Sequence, residues 1–145
     1  MRVLSKKKIM DFSIINYQFP DYIVSGEGYD YDANWLLCEI KYAEGDCSHT
    51  YRDACLLTYE LQELTNAMES ILNKEDDAYV SDFMEPYLKI AIARAEEKVV
   101  FTIRYVYDTT DGKWKERTVS SVLDEDMALQ AFRELIEFQK AYPER

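Results

Sequence analysis

From residue 87 to 108 the chain alternates, and that alternation limits its fold more than any other feature. Leu88, Ile90 and Ile92 take turns with Lys89, Ala91 and Ala93, and Phe101, Ile103, Tyr105 and Tyr107 with Val100, Thr102, Arg104 and Val106. A period of two places one set on each face of a strand, so these are two antiparallel strands joined around Glu96-Glu97. Asp111-Gly112 is a strong hairpin dipeptide and predicts that Lys113–Val122 returns as the next strand.

Two segments carry the other period. Leu61, Leu64, Met68, Ile71 and Leu72 recur at helical spacing, which predicts a helix over about 59–73 with Thr58 as its N-cap and Glu60 in its first turn. Leu129, Phe132, Leu135 and Ile136 form a second stripe, capped by Asp124 and running to about Tyr142 before Pro143. Upstream, residues 11–19, 34–43 and 49–57 read as strands, and Tyr79–Phe83 as a short one. The order is strands, helix, strands, helix. The simplest packing is an α+β fold: one antiparallel sheet of about six strands with both amphipathic helices on one face. At 145 residues the chain suits a single domain over 11–145, with residues 1–10 a loosely held basic lead-in.

Residues 20–33 exceed an ordinary hairpin loop. Either Tyr22–Val24 pairs as an extra strand or the segment is a functional loop, turned by Gly26 and Gly28. Trp35 is expected in the core beneath it, and Trp114 half-exposed beyond the Asp-Gly turn.

The net charge of −11 argues against nucleic-acid or anionic membrane partners, whose recognition rests on lysine and arginine, and favours steering toward basic ones. The charge is uneven: residues 1–10 carry four bases and no acid, and residues 11–93 carry 17 acids against four bases. Cys38, Cys47 and Cys55 are odd in number and form no C-x-x-C pair, which fits reduced thiols in the cytoplasm. The basic opening lacks the apolar run of a secretory signal, since Asp11 and Asn16 interrupt it, and no run is long enough to cross a membrane.

Motifs for chemistry are weak. Cys47-Ser-His49 places a thiol and the sole imidazole on one strand face, but a zinc site needs three or four ligands, so a pair at the strand end is the simpler reading. Asp30, Asp32 and Asn34 match the first, third and fifth positions of a calcium loop, yet Trp35 stands where glycine is needed and Lys41 where glutamate is needed. No nucleophile elbow, phosphate loop or dinucleotide fingerprint is present. The expectation is a non-enzymatic protein with no catalytic residue, metal or cofactor.

Five short phrases carry a resemblance. Tyr17-Gln-Phe-Pro20, Tyr31-Asp-Ala-Asn-Trp-Leu36, Ala54-Cys-Leu-Leu-Thr-Tyr-Glu-Leu61, Phe83-Met-Glu-Pro-Tyr-Leu88 and Tyr142-Pro-Glu-Arg145 resemble, in that order, segments of WapI-type bacterial immunity proteins. They span about residues 12–145, leaving the basic lead-in outside. Tyr142-Pro143 stands where Phe-Pro would be expected. The resemblance implies a protein of polymorphic toxin systems that binds and blocks, in the producer's cytoplasm, a toxic C-terminal domain that is often a nuclease. It supplies no catalytic residues.

The charge distribution then nominates contact residues: Asp21, Glu27, Asp30 and Asp32 in the long loop, Glu75, Asp76 and Asp77 after the first helix, and Tyr22, Tyr29 and Tyr31 as apolar anchors. The alternatives are an orphan interaction domain, homodimeric through a sheet edge and without a toxin, or an enzyme of unrecognised type.

Overall fold

The alternating segments pair as their period demands, but into two sheets rather than one. The structure is a computed structural model describing residues 1–145. Strands β1 (Arg2–Ser5), β2 (Lys8–Tyr17), β3 (Trp35–Glu44) and β4 (Cys47–Leu57) form one antiparallel meander, with a short helix α1 (Tyr31–Asn34) entering β3. Helix α2 (Thr58–Leu72) follows. Strands β5 (Ala78–Val80), β6 (Leu88–Ala95), β7 (Lys98–Asp108) and β8 (Lys115–Leu123) form a second meander, and helix α3 (Glu125–Ala141) ends the chain. The fold is α+β, as the order of periods implies, with eight strands in place of about six.

The split into two sheets has a visible cause. At the seam between β1 and β8 the backbones do not pair directly. The buried Ser121 hydroxyl accepts from Leu4 N at 3.1 Å and donates to Leu4 O at 2.7 Å. One side chain thereby satisfies the groups that a continuous ladder would have used.

The inner faces of both sheets and the packed pair of helices share one core. Met10, Phe12 and Ile40 come from the first sheet, Ile90, Phe101 and Ile103 from the second, and Leu64, Met68 and Leu135 from the helices. Phe12 meets Phe138 edge-to-face at 6.0 Å, tying β2 to α3. A second tie crosses the open side, where the Arg117 guanidinium lies 4.9 Å from the Tyr42 ring and 4.8 Å from the Tyr107 ring.

Several local expectations change. The basic opening is no loose lead-in: Arg2–Ser5 pairs with Lys8–Asp11, and β2 begins at Lys8 rather than Asp11. Arg2 binds Asp11 across that pair at 2.6 Å, so a cross-strand acid holds the basic segment down. The α3 stripe is rotated, with Ala128, Ala131 and Leu135 buried while Leu129, Phe132 and Ile136 are half-buried. Small residues let α3 sit close to its neighbours, a signal that a search for large apolar side chains passes over. Asp124 caps α3 as expected, accepting from Met127 N at 2.9 Å. Thr58 is instead the first residue of α2. Leu57 is its N-cap, and the Glu60 carboxylate takes up the Leu57 N–H.

Candidate functional site

Tyr22–Val24 forms no strand. Residues 18–30 run as an exposed loop between β2 and α1. Gly26 (φ 113°) and Gly28 (φ 99°) occupy conformations that side chains resist, and they turn the loop back. Asp30 then caps α1, its carboxylate accepting from Ala33 N at 3.3 Å.

The underside of this loop is tightly held. Asn34 is fully buried and uses all four of its hydrogen-bonding positions. Its amide nitrogen donates to Asp30 O at 2.8 Å and Arg145 O at 3.0 Å. Its carbonyl oxygen accepts from the Thr58 hydroxyl at 3.0 Å and Arg145 N at 2.9 Å. The Arg145 guanidinium spans the loop from below, donating to the carbonyls of Phe19, Pro20 and Ala33 and lying 3.8 Å from the Tyr17 ring centroid. Tyr17 in turn donates to Pro143 O, and Tyr142 to Ile15 O at 2.8 Å. Tyr29 hydrogen-bonds Thr58 at 3.0 Å and meets Tyr31 and Tyr59 edge-to-face. Trp35, expected in the core, is only half-buried at this junction, and Asn34 takes the buried position.

Glu60 joins this end of the molecule to the second sheet. Its carboxylate accepts from Leu57 N at 2.8 Å and from Met84 N at 2.5 Å. Only 1% of Glu60 is exposed, and that burial pushes its pKa above the ordinary carboxylate value despite the two backbone donors. The ionised form is thus disfavoured in the folded state. The contribution of Glu60 to stability is largest below its unfolded pKa and falls as pH rises through the folded one. Carboxyl NMR should find Glu60 titrating above the ordinary glutamate range. An ordinary or depressed value would mean that the two N–H groups outweigh burial.

The upper surface is different. Of the thirteen large hydrophobic side chains exposed over the whole chain, five lie between residues 19 and 31: Phe19, Tyr22, Ile23 (85% exposed), Val24 and Tyr31. Asp21, Glu27, Asp30 and Asp32 stand among them, and no lysine or arginine occurs from residue 18 to 34. Val24–Asp32 frames an open, polar cleft of ≈ 350 Å³. The neighbouring Asp30 carboxylate raises the Tyr22 hydroxyl pKa and links that ring to the acidic rim. Tyr29, nominated from the sequence as an anchor, instead faces the scaffold.

Glu75, Asp76 and Asp77 do not join this surface. They follow the C-terminal end of α2, whereas the loop packs at its N-terminal end. The 15 residues of α2 separate the two acidic groups by about 22 Å.

Cys47 and His49 are exposed on β4, with His49 stacked 6.1 Å from Tyr51, while Cys38 and Cys55 are buried. No three His, Cys, Asp or Glu side chains are grouped so as to hold a metal ion.

Residues 3–143 match the family model described as the immunity protein WapI-like family. The chain belongs to that family. The match includes most of the basic opening that the sequence phrases left out, in keeping with its place in the sheet. No curated protein matches the chain. Among solved structures, the crystal structure of WHY3 from Arabidopsis thaliana is similar over 98% of this chain and 86% of that chain, with a TM-score of 0.49 and 5% identity.

On the fold, the five WapI-like phrases converge. Tyr17–Pro20, Tyr31–Leu36 and Tyr142–Arg145 meet through Arg145 and Asn34. Thr58 and Glu60 bring in Ala54–Leu61, and the Met84 N–H brings in Phe83–Leu88. They build the support of the loop, whereas residues 21–30, which carry its exposed tip, lie between the first two phrases.

Proposed function

We propose that this chain is an immunity protein that binds a cognate toxin domain and blocks it by occlusion rather than by catalysis, using the upper surface of the 19–32 loop. Family membership supports the immunity role. The observation that carries the assignment of the surface is the clustering of exposed apolar side chains among four acids on a loop held rigid from below. Interface hot spots are apolar anchors of this kind, ringed by polar groups, and little ordering cost remains for a loop already fixed. The absence of bases selects a partner with a basic groove, such as the active site of a nuclease, which negative charge would reach by electrostatic steering.

The test is a growth assay. The C-terminal domain-sized piece, about 100–150 residues, of the protein encoded beside this chain's gene is expressed with and without it. Arrest of growth that this chain relieves is the expected result, and arrest that it fails to relieve overturns the reading. In vitro, affinity for that domain should fall steeply with added salt. Ile23→Ala should weaken binding about tenfold with an unchanged melting temperature, because the side chain is 85% exposed. Unaltered affinity in that variant would remove the loop from the interface.

A further inference from the structure

The two sheets present very different outer faces. The outer face of the first is crossed by ion pairs: Arg2–Asp11 at 2.6 Å, and Glu39 with both Lys41 and Arg52 at 2.8 Å. The middle of the second has none. Its outward positions are Ala91 and Ala93 on β6, Val100 and Thr102 on β7, and Ser120 and Val122 on β8, which the strand register sets side by side in two rows. Val80 on β5 extends one row and is 60% exposed, and Val122 ends the other at 59%. The hydroxyls of Thr102 and Ser120 hydrogen-bond each other at 2.8 Å, so this part of the face can be dehydrated without leaving a side-chain hydroxyl unpaired. Both helices pack on the opposite, inner side. In a chain of net charge −11, a sheet face without a central charge stands out as a surface built for contact.

We propose that this face binds a second copy of the same chain, sheet on sheet, across a twofold axis that lies between the sheets and crosses the strands. The charges at its two ends select that occupant. Lys89 marks one end, beside Arg104, which is paired with Glu116 at 3.2 Å, and the β6–β7 turn marks the other with Glu96, next to Lys98 and to Glu97, which lies 3.6 Å from Lys74. A twofold axis crossing the strands reverses their direction, so the cationic end of each copy lies over the acidic turn of its partner, and the match occurs twice. Asp76 and Asp77 lead into β5 at that same acidic end, since Asp77 O accepts from Arg94 N at 2.8 Å. Acids that looked like part of a toxin site from the sequence therefore border the proposed contact between copies. Three strands of about eight residues and the three-residue β5 give a footprint of roughly 400 Å² per copy. That lies at the low end for specific interfaces, so the dimer is weak and transient.

Sedimentation equilibrium of the full chain over about 5–500 µM tests this directly. The expected result is a reversible monomer–dimer equilibrium. Ala91→Glu, which sets like charges against each other at the centre of the contact, should weaken it at least about tenfold. Val122→Lys, at a position already exposed, provides the same test should Ala91→Glu perturb the fold, as judged by circular dichroism. Lys89→Glu should also weaken the dimer, and adding Glu96→Lys with Glu97→Lys should restore it, a rescue that a purely structural role for Lys89 would not produce. Lys41→Glu, on the outer face of the other sheet, should leave it unchanged. A chain that stays monomeric throughout the range overturns the proposal, and so does a dimer indifferent to Ala91→Glu or Val122→Lys in folded protein.

Discussion

Asn34→Ala should destabilise the protein by about 3 kcal/mol, more than its small change in volume suggests. The side chain is fully buried and its four hydrogen bonds join α1, α2 and the C-terminal segment. Truncation leaves Asp30 O, Arg145 O, Arg145 N and the Thr58 hydroxyl short of a partner where water has little access. An unsatisfied buried group costs on the order of 1–3 kcal/mol, and relaxation recovers part of the sum. For a chain of this length the melting temperature should drop by roughly 10 °C. Asn34→Asp separates the network from simple packing, because it preserves shape but replaces the amide donor. A carboxylate facing two carbonyls has its folded-state pKa raised. The variant should therefore be most stable at low pH and lose stability as pH rises through that value. Calorimetry at several pH values reads both effects. A drop below about 1 kcal/mol for Asn34→Ala would mean that the loop is supported in another way.

The periodic elements were legible because burial on one face imposes a period: the strands and both helices fall in the expected segments, although α3 turns Ala128 and Ala131 rather than Leu129, Phe132 and Ile136 into the core. The division into two sheets was not. It turns on Ser121, one hydroxyl on a strand whose own pattern is ordinary, meeting a backbone 117 residues away. Arg2–Ser5 was missed because charge hid a strand: its alternation is short, and only its pairing with Asp11 shows why a basic segment is held there. For the candidate site, composition singled out the loop, its acids and the exposed rings of Tyr22 and Tyr31, and it grouped Glu75–Asp77 with them because charge counts carry no direction. The helix that separates the two groups is itself visible in its apolar stripe, and its 15 residues set them apart. Asn34 and Arg145 gave no local signal. Their partners lie up to 126 residues away in sequence, and neither residue belongs to an amphipathic pattern.

Arg145→Ala should act on the loop more than on the fold. The guanidinium holds the carbonyls of Phe19, Pro20 and Ala33 with charge-assisted hydrogen bonds and covers the Tyr17 ring, and every one of these contacts is to a residue at the edge of the 18–34 segment or within it. Their loss should lower the free energy of local opening by about 3 kcal/mol, which is roughly a 100-fold larger open population. Limited proteolysis within residues 18–30 should accelerate by that factor when opening and closing are fast, with a smaller change in global melting than Asn34→Ala produces. Arg145→Lys should recover little, since an ammonium cannot span three carbonyls as the planar fork does. The same population sets the affinity for a toxin: if only the closed loop binds, apparent affinity falls in proportion to the closed fraction that remains. Loss of affinity by this route persists at high salt, because it arises from the free protein, whereas loss caused by removing Glu27 or Asp32 fades as screening erases what those charges contributed. Comparing the two kinds of variant across salt concentrations therefore separates the support of the surface from the surface itself. If Arg145→Ala leaves proteolysis at the wild-type rate, the loop is held by Asn34 and Tyr29 alone, and Arg145 acts only through its backbone bonds to Asn34.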